Sequence, residues 1–181
     1  MKKIIVVAMV SMLSGMMVAG CGQKEAAVKP ADVDKGRQLL MEGTVFLKQG
    51  DVRKAVESYA SAIKESPDSF DAYFMLAQTF IHLKQFPQAQ AVLTAAAQRF
   101  PDNPTLFYFL AIAYQGGEEV MPAIVAARKS VDLFHARNDD DGEKRATILL
   151  GVLVQVAKAQ AEAKMVDTAA QAAAQAVEAT N

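Results

Sequence analysis

From Gly36 onward the chain repeats itself every 34 residues, and no other feature limits its fold as much. In the first unit the recurring places hold Leu39, Gly43, Phe46, Gly50, Ala55, Tyr59, Ala62 and Pro67. One period later they hold Tyr73, Ala77, Phe80, Lys84, Ala89, Leu93, Ala96 and Pro101. A second step gives Phe107, Ala111, Tyr114, Glu118, Ala123, Ala127, Ser130 and His135, with the turn glycines displaced to Gly116 and Gly117. Each unit reads as two antiparallel helices. A small residue is needed wherever their backbones approach closely, so Gly43, Ala77 and Ala111 on the first helices should face Ala55, Ala89 and Ala123 on the second. Aromatics such as Phe46, Tyr59, Phe80 and Tyr114 fill the space between helices and between units. Pro67 and Pro101 mark unit ends, because proline stops a helix and is tolerated at the entrance to the next.

These residues at this spacing resemble the tetratricopeptide repeat (TPR) family. The resemblance implies an all-α fold, a right-handed superhelix of antiparallel helix pairs. Three units are expected over 36–69, 70–103 and 104–137. Beyond His135 the register breaks, and 138–149 reads as an acidic loop and the start of the next helix. Asp139, Asp140 and Asp141 lack the spaced oxygen ligands of a calcium loop and suit the N-terminus of a helix instead. Leu149, Val152, Leu153 and Val156 then form an apolar stripe for packing on the third unit, in a run too short to span a bilayer. Residues 150–181 are expected to form a degenerate fourth unit, completing a C-terminal capping helix pair. There Ala169, Ala173, Ala176 and Val177 fall on second-helix spacing, and Gln171, Gln175 and Glu178 share a polar face. Self-association through this Ala-rich helix is the lesser reading beside capping.

The N-terminus carries a different signal. Lys2 and Lys3 precede an apolar run from Ile4 to Ala19, which ends in Val18-Ala19-Gly20-Cys21, and Cys21 is the only cysteine. At roughly 16 residues the run is shorter than the ~20 a spanning helix needs. The segment resembles bacterial lipoprotein signals. That resemblance implies a signal peptide over 1–20, diacylglyceryl attachment at Cys21 and cleavage just before it. Gly22, rather than Asp, implies routing to the outer membrane of a Gram-negative host, facing the periplasm. Residues 21–35 read as the lipidated cysteine and a flexible tether, reaching ~20 Å by random-coil scaling. Losing Lys2 and Lys3 takes the formal net charge of −1 to about −3. No basic field for nucleic acid remains.

What such a stack does follows from its concave surface, which the family builds from first helices. The expected partner-binding groove consists of Leu40, Thr44 and Leu47, then Phe74, Gln78 and His82, then Tyr108, Ile112 and Gln115. Leu40, Phe74 and Tyr108 form a ladder, one rung per unit, for an apolar helix or an extended peptide. Family members that clamp a peptide carboxylate carry asparagines where Thr44 and Gln78 stand, which argues against that mode here. No catalytic residues, metal site or cofactor are expected. The mature chain has no cysteine beyond Cys21, only two histidines, and no nucleophile elbow, zinc-protease motif or phosphate loop. Glu42, Glu57 and Glu65 read as solvated. The function expected is therefore a membrane-anchored adaptor or scaffold for envelope proteins. The alternative is a pilotin-like chaperone for an outer-membrane pore, pilus or secretion component.

Overall fold

The computed structural model describes residues 30–178. The expected signal peptide, Cys21 and most of the tether lie outside these residues. Among the described residues there are seven helices and no strand: α1 (Pro30–Lys48), α2 (Val52–Glu65), α3 (Phe70–His82), α4 (Phe86–Arg99), α5 (Pro104–Gly116), α6 (Val120–Ala136) and α7 (Asp140–Glu178). The first six pair as α1–α2, α3–α4 and α5–α6. Residues 30–35, expected in the tether, instead open α1. Pro30 suits a first helical turn, acids follow it at Asp32 and Asp34, and Lys35 forms an ion pair with Glu65 of α2.

The small residues do what their spacing demands. Ala55, Ala89, Ala111 and Ala123 are fully buried, and Ala77 nearly so. At Gly43 an added Cβ would lie 2.6 Å from the Tyr59 ring, so only glycine lets α1 and α2 close to this distance. Tyr59 is itself fully buried and joins Leu76 in a cluster that ties the first unit to the second. A larger cluster runs through Leu93, Leu106, Phe107 and Ala127 to Leu153, and half-buried Ile63, Phe80 and Val92 pack against both clusters and join them. Ser130, on the place of Ala62 and Ala96, is fully buried and donates to the Pro104 carbonyl at 2.9 Å. That bond removes the cost of placing a hydroxyl in the core.

Helix starts follow local capping chemistry. Asp51 accepts from the Lys54 N–H at 3.2 Å and Asn103 from the Leu106 N–H at 3.3 Å. Hydrogen bonding from the Lys54 side chain, together with that N–H, holds the Asp51 carboxyl below the usual carboxylate range. The turns within units share one geometry. Gly50, Lys84 and Glu118 all have positive φ, at 81°, 57° and 63°. The glycines at 116 and 117 therefore do not carry the third turn, contrary to the sequence reading. A Cβ at Gly116 would lie 2.2 Å from the Phe86 ring, so that glycine serves close packing between units. A left-handed conformation costs a non-glycine residue about 1–2 kcal/mol, while glycine adds about 0.4–1 kcal/mol of unfolded-state entropy to be lost. Glu118→Gly should therefore stabilise the protein by about 0.5–1 kcal/mol, read as a higher urea midpoint with an unchanged denaturant slope.

The C-terminal end departs furthest from expectation. There is no capping helix pair: α7 is one helix of 39 residues, ~58 Å long. The loop before it shrinks to three residues, 137–139, and repeats the within-unit turn with Asn138 at φ 54°. Two absences account for this. His135 stands where Pro67 and Pro101 end their units, so α6 runs for 17 residues against 14 in α2 and α4. After Gly142 the helix meets no proline and only one further glycine, Gly151, and at ~1 kcal/mol a single glycine does not break it. Asp139 caps the helix, accepting from the Gly142 N–H at 2.8 Å, with Asp140 and Asp141 in the first turn.

Only the first half of α7 covers the solenoid. Gly142, Ala146 and Leu153 are buried against it, with Leu149 and Leu150 half-buried, whereas residues 158–172 are exposed on every side. The capping role therefore belongs to residues 142–157 and not to the Ala-rich stretch. By length and composition alone, Asp140–Ala172 is long and apolar enough to cross a membrane, which corrects the shorter estimate from the sequence.

Candidate functional site

Neighbouring first helices touch, α3 with α5 and α5 with α7, whereas the second helices α2, α4 and α6 make no comparable contact. The stack therefore bends toward its first helices, and their outward face is the concave one. Leu40, Thr44 and Leu47 lie on α1, Phe74, Gln78 and His82 on α3, and Tyr108, Ile112 and Gln115 on α5. Spacings of three and four residues keep each trio on one helix face. Seven of the nine are half-buried, while His82 and Gln115, near the helix C-termini, are exposed.

The aromatic rungs are joined by two residues that the sequence reading did not name. Phe74 stacks on Phe70 at 5.7 Å and meets the edge of Phe109 at 4.8 Å, and Phe109 in turn meets Tyr108 at 5.5 Å. Phe70 also meets Phe100, at 5.6 Å. The ladder is thus one connected aromatic surface over α3 and α5. Phe109 was missed because its repeat partners are Met41 and Met75, so the place carries no recurring aromatic.

On α1 the face is more inward-turned. Leu40 and Leu47 pack partly on the Tyr59 and Leu76 cluster. The Thr44 hydroxyl donates to the Leu40 carbonyl at 2.9 Å and accepts from the Tyr59 hydroxyl at 3.3 Å, so it is engaged within the fold. Beside Leu40, residues Arg37, Met41, Ser66, Ser69 and Asp71 line a shallow depression that brings one positive and one negative side chain to the groove edge. Of the three glutamates, Glu42 and Glu57 are exposed and Glu65 pairs with Lys35. Among the described residues no three His, Cys, Asp or Glu side chains gather as a metal site.

Residues 46–113 match the family model of the tetratricopeptide repeat. No curated protein matches the chain at a significant level. Among solved structures, the first TPR of Spaghetti (RPAP3), bound to the HSP90 peptide SRMEEVD, is 17% identical with a TM-score of 0.61; the match covers 70% of this chain and 95% of that one. The TPR2B-domain:pHsp70-complex of yeast Sti1 is 21% identical with a TM-score of 0.62, covering 67% and 98%. A T3SS complex from Aeromonas hydrophila is 18% identical with a TM-score of 0.63, covering 69% and 84%. The fold is that of the TPR solenoids.

Proposed function

We propose that this protein is a TPR-family lipoprotein of the cell envelope. It is held to the membrane by acyl chains on Cys21 and acts as an adaptor that receives an apolar helix or extended peptide segment of another envelope protein in its concave groove. In a Gram-negative host the anchor lies in the outer membrane, facing the periplasm. The observation that carries the reading is the connected aromatic surface of Phe70, Phe74, Phe109 and Tyr108 on the concave side. Half-buried aromatics of this kind supply large contact area at low conformational cost, which is what a peptide groove needs. Two of the similar structures are complexes, one with an HSP90 peptide and one with pHsp70. Here the Thr44 hydroxyl is engaged inside the fold, so recognition rests on the apolar ladder rather than on a clamp for a carboxylate.

Combining Phe74→Ala with Tyr108→Glu tests this directly. Partner capture in cross-linked envelopes should fall at least tenfold, about 1.4 kcal/mol, with helix content unchanged by circular dichroism. Undiminished capture would place the binding surface elsewhere. If the captured set is a single pore-forming subunit, the protein is a pilotin-like chaperone; several unrelated envelope proteins would make it a scaffold.

A further inference from the structure

The first helices of the three units are each covered lengthwise by a second helix; α7 takes the next first-helix place without one. One uncovered face of it is apolar. Ile148, Val152, Val156 and Val166 are 63%, 48%, 36% and 71% exposed. Ala159, Ala163 and Ala170, also exposed, fill the intervening steps. Steps of three and four residues place all seven along one side of the helix, about 100° round from the face that packs on α6. No charged residue interrupts this side from Ile148 to Ala170. A Cβ added at Gly151 would meet nothing within 4 Å, so space beside the stripe is open.

We propose that this face pairs with the same face of a second copy of the chain, α7 against α7, running antiparallel about an axis near Ala159. Two kinds of complementarity select this occupant and this direction. The first is size: every place on the stripe from Ile148 to Val156 is bulky, whereas from Ala159 to Ala170 only Val166 is. Antiparallel pairing sets Ile148 against Ala170 of the partner subunit, Val152 against Val166 of the partner subunit and Val156 against Ala163 of the partner subunit, with Ala159 beside its own mate, so that two of the three bulky N-terminal places meet an alanine. The helices can then close as α1 and α2 do over Gly43. Parallel pairing would set Ile148, Val152 and Val156 each on its own mate at one end and leave three alanines and Val166 facing their mates at the other.

The second is charge. Lys158 and Glu162 lie together on one flank of the stripe, 4.0 Å apart and about two-thirds exposed, a pairing that contributes little within one helix. The twofold arrangement brings Lys158 beside Glu162 of the partner subunit, and the reciprocal pair forms with it. Pairing over residues 148–170 buries on the order of 1,000 Å² in total, the lower limit for a specific interface. The dimer is therefore expected to be reversible. Its two-chain rod would hold the solenoids at opposite ends, their grooves unobstructed by the contact.

The test uses the full chain carrying Cys21→Ser, which removes the only native thiol, in mild detergent with single cysteines reintroduced. Under oxidation Ala159→Cys should give a disulfide-linked dimer. Mixed copies carrying Ile148→Cys and Ala170→Cys should link to each other, and Ile148→Cys should not link to itself. Adding Val152→Lys and Val156→Lys, both on exposed positions, should cut the Ala159→Cys product at least tenfold while leaving the circular dichroism spectrum unchanged. An Ala159→Cys chain that stays monomeric, a product insensitive to the two lysines, or self-linking at Ile148→Cys would each overturn the proposal. So would a monomer whose stripe becomes protected only when lipid vesicles are added, which would make the occupant the bilayer.

Discussion

Tyr59→Ala should lower the stability of the solenoid by about 4 kcal/mol, within the range for deleting a fully buried aromatic side chain. Tyr59 has no solvent exposure, and its ring lies under Gly43 at a distance no Cβ could share. It also belongs to the cluster with Leu76, so its loss opens a cavity where the first unit meets the second. A domain of this size holds about 5–15 kcal/mol in all. The change should move the urea midpoint down by about 2 M for a slope near 2 kcal/mol/M. Tyr59→Phe keeps the ring and removes only the hydroxyl bond to Thr44, so it should cost about 1 kcal/mol. A loss below about 2 kcal/mol in Tyr59→Ala would mean that the helices collapse into the vacated space, and that Gly43 does not hold them at a fixed separation.

Cys21→Ser should abolish lipid attachment altogether. Each buried methylene contributes ~0.8 kcal/mol, and two acyl chains hold a protein on a bilayer stably where one holds it only marginally. A hydroxyl cannot replace the thiolate as the nucleophile that the diacylglyceryl group alkylates, so the expected result is all-or-none. Cells grown with labelled palmitate should label the wild-type chain, whose mature form should begin at Cys21, and leave the variant unlabelled. Label retained by Cys21→Ser, or a mature N-terminus elsewhere, would sink the anchor. The solenoid and its groove would stand unaffected.

How much was legible in advance varies by element. The helix pairs of the three units were, because their signals are local and repeated: a small residue at Gly43, Ala77 and Ala111, another at Ala55, Ala89 and Ala123, and proline at the first two unit ends. The groove was legible in part. Leu40, Phe74 and Tyr108 follow from repeat position, but Phe70 and Phe109 complete the aromatic surface without any periodic counterpart. The third turn was misread because glycine is the usual sign of a left-handed residue. Here Glu118 keeps the repeat's place, and Gly116 answers a different need, the approach of Phe86. The C-terminal segment was misread for a related reason. Alanine marks close helix packing in the repeats, yet between residues 158 and 172 it has no neighbour within the chain to pack on.

The sequence by itself determined the fold class, the pairing of the first six helices and the acidic start of α7, since each is written in residues within one period of one another. Tertiary structure alone decided which way the stack bends, which aromatics meet across α3 and α5, and which stretch of α7 covers the third unit. Those depend on distances between residues far apart in the chain. A helix-forming segment declares its conformation locally, but whether any of its faces is buried depends on whether another element is there to meet it.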